Sequence, residues 1–383
     1  MKRDAMRMLM DARPDDLDPN APVDPATRER ELARARHGAH GGTTVTAPAR
    51  RRVRPVWGIG VAGVAAAAVA AAVLVPTGGG DGGDAPPLSK HDAALQLTGR
   101  NALLTAAETA DRQPAASGAY WRVSRVQCQF VRAGTGASAY TVASESRSEA
   151  WTPNDPAGSL VTRDQDLGAH PATNADKVLW RKAGSPTSWT LKLPAGGGHY
   201  KQMGLTAAPG KARTRQTPVR SGEVYWLGRN VTMKQVRELP ADPKKLKSQL
   251  SKWYRGHGTE AEGQKSTRDE WLFDVARGLV TDMPVTPKVR AAAFRLLAGL
   301  PSVVSLGRVT DGQGRQGVAI GLTRPTTYGD LHQTRLIVDP SAGRGLGEED
   351  VLVKASSSYP GVRAGTVLNS SLVTTEWTAV APS

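Results

Sequence analysis

From Val56 to Val75 the chain carries no charge and no proline, and its one polar group is the indole of Trp57. A bilayer core is about 30 Å thick and a helix rises about 1.5 Å per residue, so twenty such residues predict one membrane crossing with every backbone amide paired inside the helix. The rival readings are a buried Ala-rich helix and a cleaved secretory signal. The flanks favour an uncleaved anchor: Arg50, Arg51, Arg52 and Arg54 crowd its start, and more than fifty residues precede it. Asp81 and Asp84 follow it, with no basic residue before Lys90. Lys and Arg stay on the cytoplasmic side, so the N-terminus is expected inside and the large C-terminal part outside.

Ahead of the anchor, residues 1–55 hold only short apolar faces. Met6, Leu9 and Met10 stand at helical spacing, four prolines between Pro14 and Pro25 break the pattern, and a second helix after Pro25 has Leu32 as its one large apolar residue. Neither piece buries a core, so the arm is expected to be disordered, serving as a docking segment for a partner or as a solvated tail. Residues 76–88, rich in Gly and Pro, read as a tether.

Residues 89–383 alternate between helical and strand periods. A helix is expected over 90–111, with Leu103, Leu104 and Ala107 on one side and Gly99 weakening its middle. From Ala119 the period is two. Val126, Cys128 and Phe130 share a face while Trp121 and Val123 are out of phase, which predicts a bulge near Ser124. Residues 138–151 alternate next, setting Tyr140 and Val142 opposite Glu145, Arg147 and Glu149. Further strands are expected over 177–182, 188–193, 222–228 and 230–239. The stretch 196–218, with His199, Lys201, Lys211, Arg213 and Arg215, has no period and reads as a long basic loop.

Three helices then interrupt the strands. Asp242-Pro243 opens the first and Thr286-Pro287 the third, and between them Trp271, Leu272, Val275 and Leu279 mark the face of the second. Strands return over 302–309, 317–322, 334–340, 351–357 and 371–380, joined by Asp/Gly-rich turns. The expected class is α+β: one transmembrane helix, then a curved antiparallel sheet, an open half-barrel, with helices packed on its concave face.

Charge refines this. The net charge is +15, with 50 Lys and Arg against 35 Asp and Glu. Most of the excess falls beyond the anchor, which suits anionic headgroups or wall polymer, or is simply a solvated surface. It lies on the wrong side of the membrane for nucleic acid. The single cysteine, Cys128, excludes an intrachain disulfide. Its setting in a strand points to a small buried residue rather than an intermolecular bridge.

Chemical signatures are scarce. There is no G-x-S-x-G, no H-E-x-x-H, no phosphate-binding loop and no dinucleotide fingerprint after a strand. The outer histidines, His91, His170, His199, His257 and His332, are widely spaced, and His37 and His40 lie in the arm without a cysteine to complete a zinc site. No catalytic, cofactor or metal residue is therefore assigned, and an enzyme is not expected. Nine Trp against three Phe is unusual. Trp121, Trp151, Trp180, Trp189 and Trp226 fall in or beside strands, either as ordinary core or as an aromatic lining for acyl chains or a protein segment.

The alternating strands YWRVSRVQCQF and SESRSEAW, the proline-opened helices, the hairpin GRVTDGQGRQGVAIGL and the stretch RLIVDPSAGRGLG together resemble the lipoprotein-carrier and RseB-like fold. With the inner RPDDLDPNAPVDPATRERELARAR, the ARRRVRP-plus-Ala-rich anchor and LPADPKKLKSQL, the whole chain is similar to a group of actinobacterial single-pass membrane proteins of unknown function. Their genes often lie beside those of extracytoplasmic-function sigma factors. The resemblance implies an outer domain that binds a lipid or a partner protein such as a lipoprotein, beside the anionic envelope ligand that the charge suits. It also implies an arm that holds a cytoplasmic protein such as a sigma factor. A sensor that signals inward and a membrane-tethered carrier that does not are the two functions it suggests.

Overall fold

Thr173, Thr232, Asp242, Thr267 and Thr286 each stand just before a helix, and each side chain accepts a hydrogen bond from the backbone amide three residues on. These caps satisfy amides that the first helical turn leaves without partners. Pro243 and Pro287 occupy first-turn positions, where no amide is needed. The computed structural model describes residues 90–196, 199–219, 222–259, 264–326, 329–354, 359 and 362–382. The arm (1–55), the apolar run (56–75) and the linker (76–88) lie outside the described residues. Among those described, no helix is long and apolar enough to cross a membrane.

In chain order the elements are α1 (Lys90–Asp111), β1 (Tyr120–Ala133), β2 (Tyr140–Pro153), β3 (Ser159–Pro171), α2 (Asn174–Lys182), β4 (Ser188–Gly196), β5 (His199–Thr206), β6 (Arg213–Pro218), β7 (Glu223–Trp226), β8 (Arg229–Thr232), α3 (Met233–Arg237), α4 (Pro243–Ser251), α5 (Arg268–Thr281), α6 (Pro287–Ala298), β9 (Val304–Thr310), β10 (Gln316–Pro325), β11 (Leu331–Asp339), β12 (Arg344–Lys354) and β13 (Thr366–Thr378). The class is α+β, built on a large curved antiparallel sheet. Nine strands follow one another in the order β6-β3-β2-β1-β13-β12-β11-β10-β9, while β4-β5 and β7-β8 form separate hairpins.

The largest apolar cluster lies between the helices and one face of the sheet. Phe273, Leu272 and Leu279 of α5, Phe294 and Leu297 of α6 and Leu246 and Leu250 of α4 are fully buried, together with Ile320, Leu322 and Leu336 of the sheet. Gly99 has a positive role in α1. A Cβ there would lie 2.4 Å from the Ser305 side chain, so glycine lets the helix lie directly against β9.

Several expectations need correction. No bulge interrupts β1, whose register with β2 and β13 is continuous. The phase change has another cause: Arg125, Gln127 and Gln129 occupy the same face as Trp121 and Val131. Residues 177–182, expected as a strand, belong to α2. Thr173 caps that helix, Asp176 lies in its first turn and Arg181 and Lys182 in its last, so every end signal favours a helix. Residues 230–239 split into β8 and the short α3, where Thr232 and Gln235 form a capping box. The expected basic loop contains β5 and β6. β3 has no apolar alternation in its charged middle, Arg163–Asp164–Gln165–Asp166, and carries no strand signal.

Candidate functional site

The register places one continuous polar tract across the middle of the helix-bearing face. On β1 it holds Arg125, Gln127 and Gln129, which face Ser148, Ser146 and Ser144 of β2 and Val373, Ser371 and Asn369 of β13. On β12, Glu348 pairs with Ser371 and Asp350 with Asn369. Thr334 of β11 lies opposite Asp350, and His332 lies opposite Arg324 of β10. Side chains on one face alternate along each strand, so these groups point to the same side.

Apolar clusters bound the tract. At one end is the helical core. At the other, Val131, Ala133, Tyr140 and Val142 pack beneath Trp189 and Leu191 of β4 and Leu205 of β5, and the Trp189 indole donates to the Tyr140 hydroxyl at 2.9 Å. A small third cluster joins Leu352, Tyr359 and Leu368.

The helices meet the tract through ions rather than hydrocarbon. Arg125 pairs with Asp282, the residue that ends α5, and Arg277 of α5 pairs with Glu348. Asp274 of α5 receives Arg324 at 2.9 Å and lies 3.6 Å from Arg277. Burial, with the Arg277 guanidinium nearby, pulls Arg125 down to about 10. A cavity of about 20 Å³ lined by Arg125, Gln127, Glu348 and Ser371 marks the inner end of the seam.

At the far side of the tract His332 Nδ1 lies 3.1 Å from Asp350 Oδ2, and its ring packs on Tyr359 with centroids 5.6 Å apart. Burial, with Asp350 and Asp330 nearby, raises the Tyr359 hydroxyl well above its ordinary range. This pair escapes a sequence reading because eighteen residues separate its members. His170 lies 3.6 Å from Glu145, and His257 Nδ1 contacts the Gly258 carbonyl. Among the described residues no group of three His, Cys, Asp or Glu is placed to hold a metal ion.

Among the described residues, four of the five tryptophans read as lying in or beside strands are core. Trp121, Trp151, Trp189 and Trp226 are buried, and Trp180 packs partly against the second cluster. Trp121 packs edge-on to Trp377 and donates to the Asp282 carbonyl at 2.6 Å. Two hollows lie away from the tract. One of about 470 Å³ is lined by Pro153, Asp155, Met233 and Arg237, and one of about 250 Å³ on the opposite sheet face is lined by Arg122, Arg147, Glu149 and Thr374.

Cys128 is half-buried on the face opposite the tract, between Glu145 and Ser370. Burial, with the Glu145 charge beside it, pushes the thiol from 9.0 up to about 12. The folded protein therefore keeps this proton above pH 9 while the unfolded chain releases it, so stability falls across the window from 9 to 12. Cys128→Val is expected to remove that part of the alkaline loss in denaturation curves. The native thiol is expected to react with iodoacetamide at pH 8 at least about tenfold more slowly than free cysteine. Equal rates would contradict the assignment.

A scan against protein-family models finds no match, and a search of curated proteins likewise finds none.

Proposed function

We propose that the chain is a single-pass membrane protein that reports an envelope condition to the cell interior. The observation that carries this is the uncharged run Val56–Val75, with four arginines before it and Asp81 and Asp84 after it. Residues 1–55 act inside, holding or releasing a cytoplasmic partner such as a sigma factor. The outer domain is an open half-barrel with its helices in the hollow, and the polar tract is its ligand-binding surface.

The tract favours a polar ligand over an acyl chain. A carrier of lipid tails needs an apolar lining, whereas the described residues here present hydroxyls, amides and carboxylates. That chemistry suits a peptide segment of an envelope protein, whose own amides need partners. The test is affinity capture of the full-length protein from native membranes, with mass spectrometry of what is retained. A sigma factor is expected with the intact chain and absent after deletion of residues 1–45. An inner-arm peptide that binds no sigma factor at micromolar concentration would overturn the signalling role. Lipoprotein retained equally by both forms would favour the carrier.

A further inference from the structure

β6 ends the nine-stranded sheet. It pairs with β3 from Ser159 to Asp164 and, among the described residues, has no strand on its other side. All six of its side chains are exposed. Which backbone groups point outward follows from one hydrogen bond. The Val219 amide donates to the Gly158 carbonyl at 3.3 Å, one position beyond the Ser159–Pro218 rung. Hydrogen-bonded rungs alternate in an antiparallel ladder, so Thr217, Arg215 and Arg213 turn their backbones to β3, while Thr214 and Gln216 turn theirs outward. Pro218 agrees with this phase, because its position requires no N–H toward β3.

The side chains add charge to this edge. Arg213 and Arg215 stand opposite Asp164 and Thr162, on the tract-bearing face, and Lys211 precedes them. Among the described residues none of the three has a carboxylate within 4.0 Å, although Asp164 of β3 is near enough to feel the Arg215 charge, so one carboxylate is shared by the two arginines and the edge keeps a net positive charge.

We infer that this edge takes up an extended acidic segment of a partner protein as a further strand. Thr214 and Gln216 supply the backbone hydrogen bonds, and carboxylates at alternate positions of the incoming strand face Arg213 and Arg215. This edge shares the tract-bearing face, with β3 between it and the tract serines of β2, and its strand pairing does not depend on what the tract binds. A second copy of the chain fits poorly. Antiparallel self-pairing centred on Thr214 sets Arg213 against Arg215, and pairing centred on Arg215 sets that residue against itself. Centred on Gln216, it sets Thr214 against Pro218, which has no N–H to give.

The test uses the full-length chain in detergent and three fluorescein-labelled peptides read by anisotropy. TVEVEVT carries alternating carboxylates, TVKVKVT reverses the charge, and TPEPEPT keeps the charge but cannot extend a ladder. TVEVEVT is expected to bind at about 10–100 µM and the other two at least about tenfold more weakly. Arg213→Glu with Arg215→Glu should abolish that preference. Thr214→Pro with Gln216→Pro should weaken binding about tenfold, because it removes only outward-facing amides, with an unchanged circular dichroism spectrum. Should the proline variant fail to fold, the charge variant and TPEPEPT still decide. Equal binding of TPEPEPT and TVEVEVT would reduce the edge to a charged surface and overturn strand addition, as would no binding of TVEVEVT up to about 1 mM.

Discussion

Asp282→Ala is expected to lower the stability of the folded domain by about 3–5 kcal/mol, because it leaves an enclosed guanidinium without its carboxylate. The Arg125 side chain is 12% exposed and that of Asp282 is 4% exposed. Burial already weakens the hold of Arg125 on its proton, and Arg277 adds a second positive charge nearby. Asp282 is thus the counter-charge that makes Arg125 tolerable at this depth. The backbone carbonyl of Asp282, which binds the Trp121 indole, is untouched by the substitution. Replacing both partners, Arg125→Met with Asp282→Leu, should recover most of the loss, since two apolar groups leave no charge to solvate. Urea titration of both variants beside the unaltered protein measures the loss and its recovery. A single-variant loss below about 1 kcal/mol would show that water reaches the pair.

Phe273→Ala is expected to cost about 3–5 kcal/mol by a different route. Phe273 is fully buried in α5, and the Arg324 guanidinium lies 5.9 Å from its ring centroid. Truncation opens a cavity between the helices and the sheet and removes the ring's attraction for the cation. Phe273→Leu, which keeps most of the volume, should cost about 1–1.5 kcal/mol. Tryptophan fluorescence and far-ultraviolet circular dichroism should lose signal together, because the helical cluster contains Trp121 of β1 as well as Trp226 and Trp271. Separate transitions would mean that the helices come away before the sheet.

What the sequence makes legible follows from how local each signal is. The starts of the helices opened by Asp242-Pro243 and Thr286-Pro287 are found to the residue, because cap, first-turn proline and apolar face all lie in one short stretch. The strand at 177–182 is misread because Val178, Leu179 and Trp180 look like a strand run, while the deciding signal, Thr173 with Asp176, lies upstream. Val178 is 49% exposed, so the apolar run is not itself what the fold uses. β3 is invisible because its middle faces polar partners on both sides, Ser146 and Ser148 of β2 and Arg213 and Arg215 of β6.

The candidate site is less legible still. Arg125, Gln127 and Gln129 look like solvent-facing positions of a half-buried strand, so an apolar-in, polar-out rule turns β1 the wrong way and demands a bulge. Only the neighbouring strands show that these residues face inward. The ion seam draws on α5, β1, β10 and β12, and no spacing within any one of them announces it.

The pairing of β1 with β13 has a consequence for how the protein is made. Arg122 and Glu376, joined across this seam, are 254 positions apart, and the edge-on packing of Trp121 with Trp377 sits one rung away. A ribosome delivers β1 long before its partner β13, with all the other strands of the sheet made between them. Until then the strands β6-β3-β2-β1 can associate, but β1, an interior strand of the finished sheet, is an edge with an unfilled ladder. Closing so long a loop is slow, and the waiting edge is open to wrong partners. A nascent chain must therefore be shielded until β13 has emerged. A message that stops before Thr366 yields two unjoined half-sheets rather than a shortened version of the same fold.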